Sequence, residues 1–312
     1  MKTIPLARIK EVLPSLDLIP AIEAGFAAYS SGRAVVPPVG ELLLDQGEVH
    51  IKYGYLRGDD YYVIKIASGF YDNPKIGLPS SNGLMLLFSQ KTGELVCILL
   101  DQGHLTDTRT AVAGAIAAKH LAPKQIERIG IVGTGIQGRL QLQHLAHVTA
   151  CRRALVWGRG KPQLERYRRD MEPHGFSVDT TLNTSDVLHN CNLVVTCTPA
   201  TSPLLQASDL RPGTHITAVG SDTSEKQELD SAILNRADVV VADSIAQCLQ
   251  RGEIHKAIAA GDIVAENLIE LGDLIAGRAP GRTSEEQVTV ADLTGVAVQD
   301  IEIAKAVYEA LA

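Results

Sequence analysis

The stretch "HLTDTRTAVAG" (His104–Gly114) places Arg109 just behind Thr106 and Asp107, either of which has the form of a helix N-cap, and an alanine-rich run follows. That spacing predicts Arg109 in the first helical turn, where unpaired N–H groups and the helix dipole already favour an anion. A cation there is either a solvated arginine that tolerates the mismatch or half of an anion site, with guanidinium and helix N-terminus together binding one carboxylate or phosphate. A second chemical signature is the loop Gly133-Thr134-Gly135-Ile136-Gln137-Gly138 in "IGIVGTGIQGR", directly behind an apolar strand and ahead of a helical stretch. In that context the first glycine permits a tight turn, the second lets the backbone approach a pyrophosphate, and the third lets helix pack on strand. This is dinucleotide-binding chemistry. An NAD site places an Asp or Glu about 20 residues beyond such a loop to hold the ribose 2′-OH. Here the second strand, "ALVW", runs instead into Trp157-Gly158-Arg159-Gly160-Lys161. Arg159 and Lys161 suit a 2′-phosphate and favour NADP over NAD, unless they only decorate a surface loop.

Positioning these groups takes two kinds of architecture. The spacing of Ile9, Val12, Leu13, Leu16, Ile19, Ile22 and Phe26 predicts helical segments between Ile4 and Gly32, interrupted at Pro14 and Pro20. "GELLLDQGEVHIKYGYLRGDDYYVIKIASG" then offers three β-rich runs, and "GLMLLFSQKTGELVCILLD" a hairpin around Thr92-Gly93, together a mostly antiparallel meander. After the alanine-rich helix come short apolar strands ("RIGIVG", "RRALVWGR", "CNLVVTCTP", "THITAVGSD", "ADVVVADS") separated by helix-length stretches, which implies an α/β fold with a doubly wound parallel sheet. The C-terminal "TVADLTGVAVQDIEIAKAVYEALA" reads as a turn and an amphipathic helix packing back on the first domain.

Bulk properties narrow the partner. A chain of 312 residues suggests two domains, and 45% hydrophobic residues can fill both cores. The net charge of -7, without a long basic run, argues against a nucleic-acid surface and for a small-molecule partner. Cys97, Cys151, Cys191, Cys197 and Cys248 are widely spaced without a CxxC pair, so neither a disulfide framework nor a metal site is expected. No uninterrupted apolar segment at the N-terminus suits a signal peptide or membrane span, and the expected location is cytoplasmic.

Taken in order, "VIKIASG" with its Lys65, "NPKIGLPSSNGLMLLFSQKTGELVCILLD", "LTDTRTAVAGAIAAKHLA", "GIVGTGIQG", "VTCTPATSPLL", "VGSDTSEKQELD" and "GVAVQDIEIAKAVY" make the chain resemble the ornithine cyclodeaminase/mu-crystallin family. The resemblance covers nearly the whole chain. It implies a Rossmann domain at 122–288, an α+β substrate and dimerisation domain built from 1–121 and 289–312, and a homodimer formed through the substrate-domain sheets. By the same resemblance Arg109 and Lys65 bind the carboxylate of a small amino or imino acid, Ser80 in "GLPSS" lies beside that carboxylate, and Asp222 in "VGSDT" is the acid/base group, with Lys65 its catalytic partner. Thr198, Val219 and Gly220 complete the expected cofactor contacts, NADP or NAD. Each residue also has a plain alternative: a lysine snorkelling from a half-buried strand, a turn serine, or an aspartate capping a helix. His104 is a weaker proton-relay candidate.

The chain departs from the family at one place. Where the family has Pro-Pro-Arg, this sequence reads Pro37-Pro38-Val39, and where Met-Pro is common it reads Ile51-Lys52-Tyr53. Lys52 is the candidate to replace the missing carboxylate-binding charge. The expectation is therefore an NAD(P)-dependent reductase of a cyclic ketimine carboxylate. The alternatives are ornithine cyclodeamination, amino-acid dehydrogenation, or crystallin-like NADPH binding without turnover.

Overall fold

The computed structural model describes residues 1–311 and divides into two compact units, Met1–Arg109 with the chain from Val296 on, and Thr110–Gly295. The first unit begins with β1 (Lys2–Pro5), α1 (Leu6–Val12) and α2 (Leu18–Ser30), then β2 (Ala34–Val35), β3 (Gly40–Leu44), β4 (Gly47–Leu56), β5 (Tyr61–Gly69), β6 (Ser81–Ser89) and β7 (Leu95–Leu100). They form a seven-stranded sheet in the order β1-β7-β6-β5-β4-β2, with β3 paired to β4. The pairing is antiparallel except that β1 runs parallel to β7.

Period-two alternation gives this sheet two faces. One carries the row Lys52↔Lys65↔Met85↔Leu99, all buried, beneath the C-terminal helix Ala297–Ala310, against which α2 packs. The other carries Tyr53↔Ile64↔Leu86↔Ile98, half-buried or exposed, with Tyr62 stacked on Phe88 at 4.9 Å. Two expectations for the N-terminus need correction. Ile4 belongs to β1 and not to a helix, because its register beside β7 buries it. Pro14 does end α1 in a single 3-10 turn, but Pro20 lies in the first turn of α2, where its missing N–H breaks no helical bond.

Helix α3 (His104–Leu121) carries the chain from one unit into the other. The second unit continues with β8 (Ile129–Val132), α4 (Ile136–Leu145), β9 (Arg153–Trp157), α5 (Lys161–Met171), β10 (Ser177–Thr181), α6 (Ser185–Asn190), β11 (Leu193–Thr196), β12 (Thr201–Leu205) and β13 (His215–Ala218). It ends with β14 (Gln227–Leu229), α7 (Ala232–Arg236), β15 (Val239–Ala242), α8 (Ile245–Cys248), α9 (Gly252–Ala260), β16 (Ile269–Glu270), α10 (Leu271–Ile275) and β17 (Thr289–Asp292), and the C-terminal helix already described is α11. Eight strands form one parallel sheet, β10-β9-β8-β11-β13-β17-β15-β16. Strand order reverses between β8 and β11, the switch point at which open Rossmann sheets bind ligands beyond the strands' carboxyl ends. Fully buried Val132, Val194, Ile216 and Val290 supply its apolar layer.

The seams differ from the expected ones. Thr289–Asp292 sits inside the parallel sheet, between β13 and β15, because all four residues are buried there. The first seam falls within α3, after Arg109. Among the described residues no single helix is long and apolar enough to cross a membrane.

Candidate functional site

The glycine loop opens at the carboxyl end of β8. Gly133 has φ +126°, a conformation that L side chains rarely adopt, and a Cβ at Gly138 would lie 2.3 Å from the Gly133 carbonyl oxygen. Gly135 differs from both, since a Cβ built there would meet no atom within 4 Å. The backbone of Gly135 and the N-terminus of α4, which has no side-chain cap, therefore face open space, as a pyrophosphate requires. The loop is braced from behind by residues the sequence reading missed. Arg139 donates to the carbonyls of Thr134 and Gly135 and pairs with Asp170 at 2.7 Å, while the Tyr167 hydroxyl donates to the Gly138 carbonyl at 2.6 Å. Arg159 and Lys161 are exposed beyond β9, and a Cβ at Gly158 would lie 2.7 Å from the Thr134 methyl group, so this turn rests on the glycine loop.

Two more loops at the carboxyl ends of β11 and β13 hold Thr198, Val219 and Gly220. Glu228, fully buried, ties them together, its carboxylate accepting the Thr198 N–H at 2.6 Å and the Gly220 N–H at 3.0 Å. Burial and then the Glu253 charge push Glu228 up to about 8. Asp222, four residues ahead of Lys226, forms an ion pair with its ammonium at 2.6 Å, so the acid/base candidate has an internal counter-ion that sequence spacing alone did not announce.

In the other unit the structure brings Lys52, Lys65 and Arg109 into buried positions, 5%, 1% and 4% exposed. Lys52 stands directly opposite Lys65 across β4 and β5. Lys65 Nζ lies 3.8 Å from Asp300 Oδ2, and Arg109 Nε lies 3.0 Å from Asp300 Oδ1. Arg109 Nη1 also donates to Gln299 Oε1 at 2.7 Å. Asp300 and Gln299, both on α11, were not singled out in the sequence.

The position of Arg109 is itself a correction. Helix α3 starts at His104 and not behind Thr106 or Asp107, because Asp101 caps it, its carbonyl accepting the His104 N–H at 3.0 Å and its carboxylate the Leu105 N–H at 2.8 Å. Gln102 (φ +54°) and Gly103 (φ +83°) make the turn that allows this. Arg109 thus falls in the second turn, where the dipole argument is weak, and its orientation comes from α11. His104 is the first helical residue, and burial, with Lys10 adding, pushes its imidazole below the usual value. Ser80 lines a cavity of about 100 Å³ with Phe70, Asn73 and Asn82, and neither Lys65 nor Arg109 lines it. Val39 is half-buried between β2 and β3. A larger cavity of about 770 Å³, lined by Lys124, Asn192 and Arg211, sits at the amino ends of β8, β11 and β13, the wrong end of the sheet for a dinucleotide.

The model of the ornithine cyclodeaminase/mu-crystallin family matches residues 4–312. The chain belongs to this family. Among its relatives, a Sinorhizobium fredii family member named only as an uncharacterized cyclodeaminase is 44% identical, across 99% of this chain and 95% of its own length. An archaeal alanine dehydrogenase, solved as a dimer with bound NAD, superposes with a TM-score of 0.90 at 32% identity, over 99% of this chain and 95% of its own. Thermococcus litoralis Δ1-pyrroline-2-carboxylate reductase, solved with NADH and L-proline, superposes with a TM-score of 0.93 at 26% identity, over 99% and 97%. The family fold therefore extends over both units, and the relatives' names span dehydrogenase, reductase and cyclodeaminase.

Proposed function

We propose that this family member is an NAD(P)-dependent oxidoreductase of a small imino or amino acid, specifically a reductase of cyclic ketimine carboxylates of the pyrroline- or piperideine-2-carboxylate type. The observation that carries the reading is the burial of Lys65 and Arg109 around one carboxylate, Asp300. Two buried cations side by side are the arrangement that would hold an anion, and an α-carboxylate is the anion common to this substrate class. The glycine loop fits a dinucleotide, and the lack of an acidic residue beyond β9, with Arg159 and Lys161 in its place, supports NADP over NAD.

When bound, the reduced nicotinamide supplies the hydride. Arg109 and Lys65 hold the substrate carboxylate, and a forked guanidinium fixes the direction of the neighbouring carbon better than a point charge does. Asp222 stabilises the protonated imine nitrogen and holds the proton that stays on the product amine. Lys226 keeps that carboxylate in place. One imine, one hydride and one proton give one amine, so a single transfer completes turnover.

Nicotinamide absorbance, followed with purified protein, each cofactor and a panel of cyclic imines and amino acids, tests this reading. Consumption of NADPH with a cyclic ketimine carboxylate supports it. Ammonia and proline formed from ornithine at catalytic cofactor levels would instead favour cyclodeamination. Retention of both ligands without any turnover would favour the crystallin-like reading. The apolar outer face of the first unit's sheet, with Tyr53, Ile64, Leu86 and Ile98 in one row, supports a homodimer. Leu86→Asp should convert such a dimer to a monomer in sedimentation.

A further inference from the structure

Gln299 and Asp300 are consecutive residues in the first turn of α11, and both are 1% exposed. Between them they grip two different nitrogens of one guanidinium, Gln299 taking Nη1 and Asp300 facing Nε. Two such points fix the plane of a rigid fork, whereas one would leave it free to swivel. The third nitrogen, Nη2, makes no hydrogen bond to a described residue. The other oxygen of Asp300 faces Lys65 at 3.8 Å, beyond hydrogen-bond length, so it sets where the ammonium rests without using up one of its N–H donors. Neither oxygen accepts a well-directed hydrogen bond. Asp300 thus acts on both cations through charge, in a place where water does not screen it.

The balance of charge suits a ligand. Lys65, Arg109 and Asp300 together keep one positive charge. Asp101, whose carboxyl burial pushes upward, also feels the Asp300 charge. Lys52, across the strand pair from Lys65, adds positive charge on the same face.

We propose that Asp300 is the positioning residue of the carboxylate anchor: it holds Lys65 and Arg109 at one spacing and, with Gln299, aims the guanidinium at the incoming carboxylate. The proposal rests on the reading of Lys65 and Arg109 as that anchor. It makes the C-terminal helix, 190 residues from Arg109 in sequence, part of the binding apparatus without touching substrate.

The test measures the affinity of L-proline for the protein with oxidised cofactor, and KM and kcat for the imino acid, in the wild type, Asp300→Asn, Arg109→Lys and the double variant. Asp300→Asn should weaken both L-proline affinity and KM at least about 10-fold, with the cofactor constant unchanged. It should add less than about 2-fold when Arg109 is already lysine, because a residue acting through Arg109 has little left to lose. Equal losses in both backgrounds, or an unchanged KM in a folded Asp300→Asn protein, would overturn the proposal. Should Asp300→Asn not fold, Gln299→Leu replaces it: KM about 3- to 10-fold higher with kcat retained supports the proposal, and an unchanged KM overturns it. A wild type without affinity for L-proline instead sinks the anchor reading itself, whereas an affinity indifferent to Asp300 sinks only this inference.

Discussion

Where the unit Thr110–Gly295 buries a carboxylate, backbone N–H groups receive it. Glu228 accepts from Thr198 and Gly220, Glu253 from the N–H groups of Glu228 and Leu229 at 2.7 and 3.1 Å, Asp292 from Ile254 at 2.8 Å, and Asp243 from Gly295 at 2.6 Å. In the other unit buried cations are answered by side chains: Lys65 and Arg109 share Asp300. A carboxylate held by main-chain donors is committed to its own backbone, so the first pattern serves architecture, and at Glu228 it ties the Thr198 and Gly220 loops together. Cations gathered side by side are the arrangement an anionic ligand needs. The two patterns predict different consequences when they are broken.

The largest expected effect is on stability, in the stitched unit. Glu253→Ala leaves the N–H groups of Glu228 and Leu229 buried without an acceptor, and at about 1 to 3 kcal/mol for each orphaned donor the loss is about 2 to 6 kcal/mol. Urea or thermal melting measures it, and a loss below about 1 kcal/mol would mean that the stitching is ornamental. The same carboxylates set a pH dependence. Burial pushes Glu253 up to about 7 and Glu228 up to about 8, against about 4.5 when unfolded. The folded state therefore binds these protons more tightly, so their stabilisation is complete below about pH 4.5 and is lost as pH rises through about 7 and 8. The wild-type melting temperature should carry this downward component, and Glu253→Gln should flatten it.

Breaking the cation pattern should change binding more than stability. Arg109→Lys keeps the charge beside Asp300 but loses the fork, and should raise the substrate KM about 10- to 100-fold, leaving cofactor affinity unchanged. If that variant unfolds the protein and KM does not move, Arg109 is structural and belongs with the stitched carboxylates. A smaller effect is expected at the exposed turn beyond β9. Arg159→Ala should weaken NADPH about 5- to 20-fold and NADH hardly at all, the range for a partly screened contact to a phosphate. Equal weakening of both cofactors would remove the argument for NADP.

The difference between the units also explains what could be read in the sequence. The glycine loop was legible because its constraints are local: strand, turn, helix and three glycines lie within a few residues of one another, and Gly133 and Gly138 meet across that short span. The parallel strands were legible as short runs apolar on both faces. Asp300 was not, since on α11 it reads as one more polar residue of an amphipathic helix, and its partners come from β5 and α3. Glu228 and Glu253 were hidden for a related reason: a carboxylate whose acceptors' partners are backbone N–H groups leaves no complementary side chain to notice. The start of α3 was misread because Thr106 and Asp107 imitate a cap, while Asp101 caps from across a Gln102-Gly103 turn whose left-handed geometry the sequence signals only through Gly103. Signals in this chain survive in the sequence where the interacting groups are neighbours, and vanish where a distant helix supplies the partner.

The smallest expected effect lies at Val39, and it separates the reductase from the family's namesake reaction. Cyclodeamination requires one site to oxidise ornithine, keep the imine while the δ-amine attacks, release ammonia and return the hydride, so the carboxylate must stay anchored through every step. Reduction of a preformed imine needs a single transfer before release. Val39 stands half-buried between β2 and β3, where the family resemblance places an arginine as a third carboxylate-binding cation, and the buried cation nearest in role is Lys52, held in register against Lys65. Lysine there supplies charge without a fork, enough to attract a carboxylate but a poorer guard against loss of an intermediate. Val39→Arg should therefore tighten amino-acid carboxylates by a few-fold, about 1 kcal/mol at a half-exposed site, while the wild type consumes NAD(P)H with cyclic imino acids and releases little ammonia from ornithine. Ammonia and proline produced by the unmodified protein would show that Lys52 or another group already does the arginine's work. An unchanged affinity in Val39→Arg would show that the anchor of Lys65, Arg109 and Asp300 is complete without it.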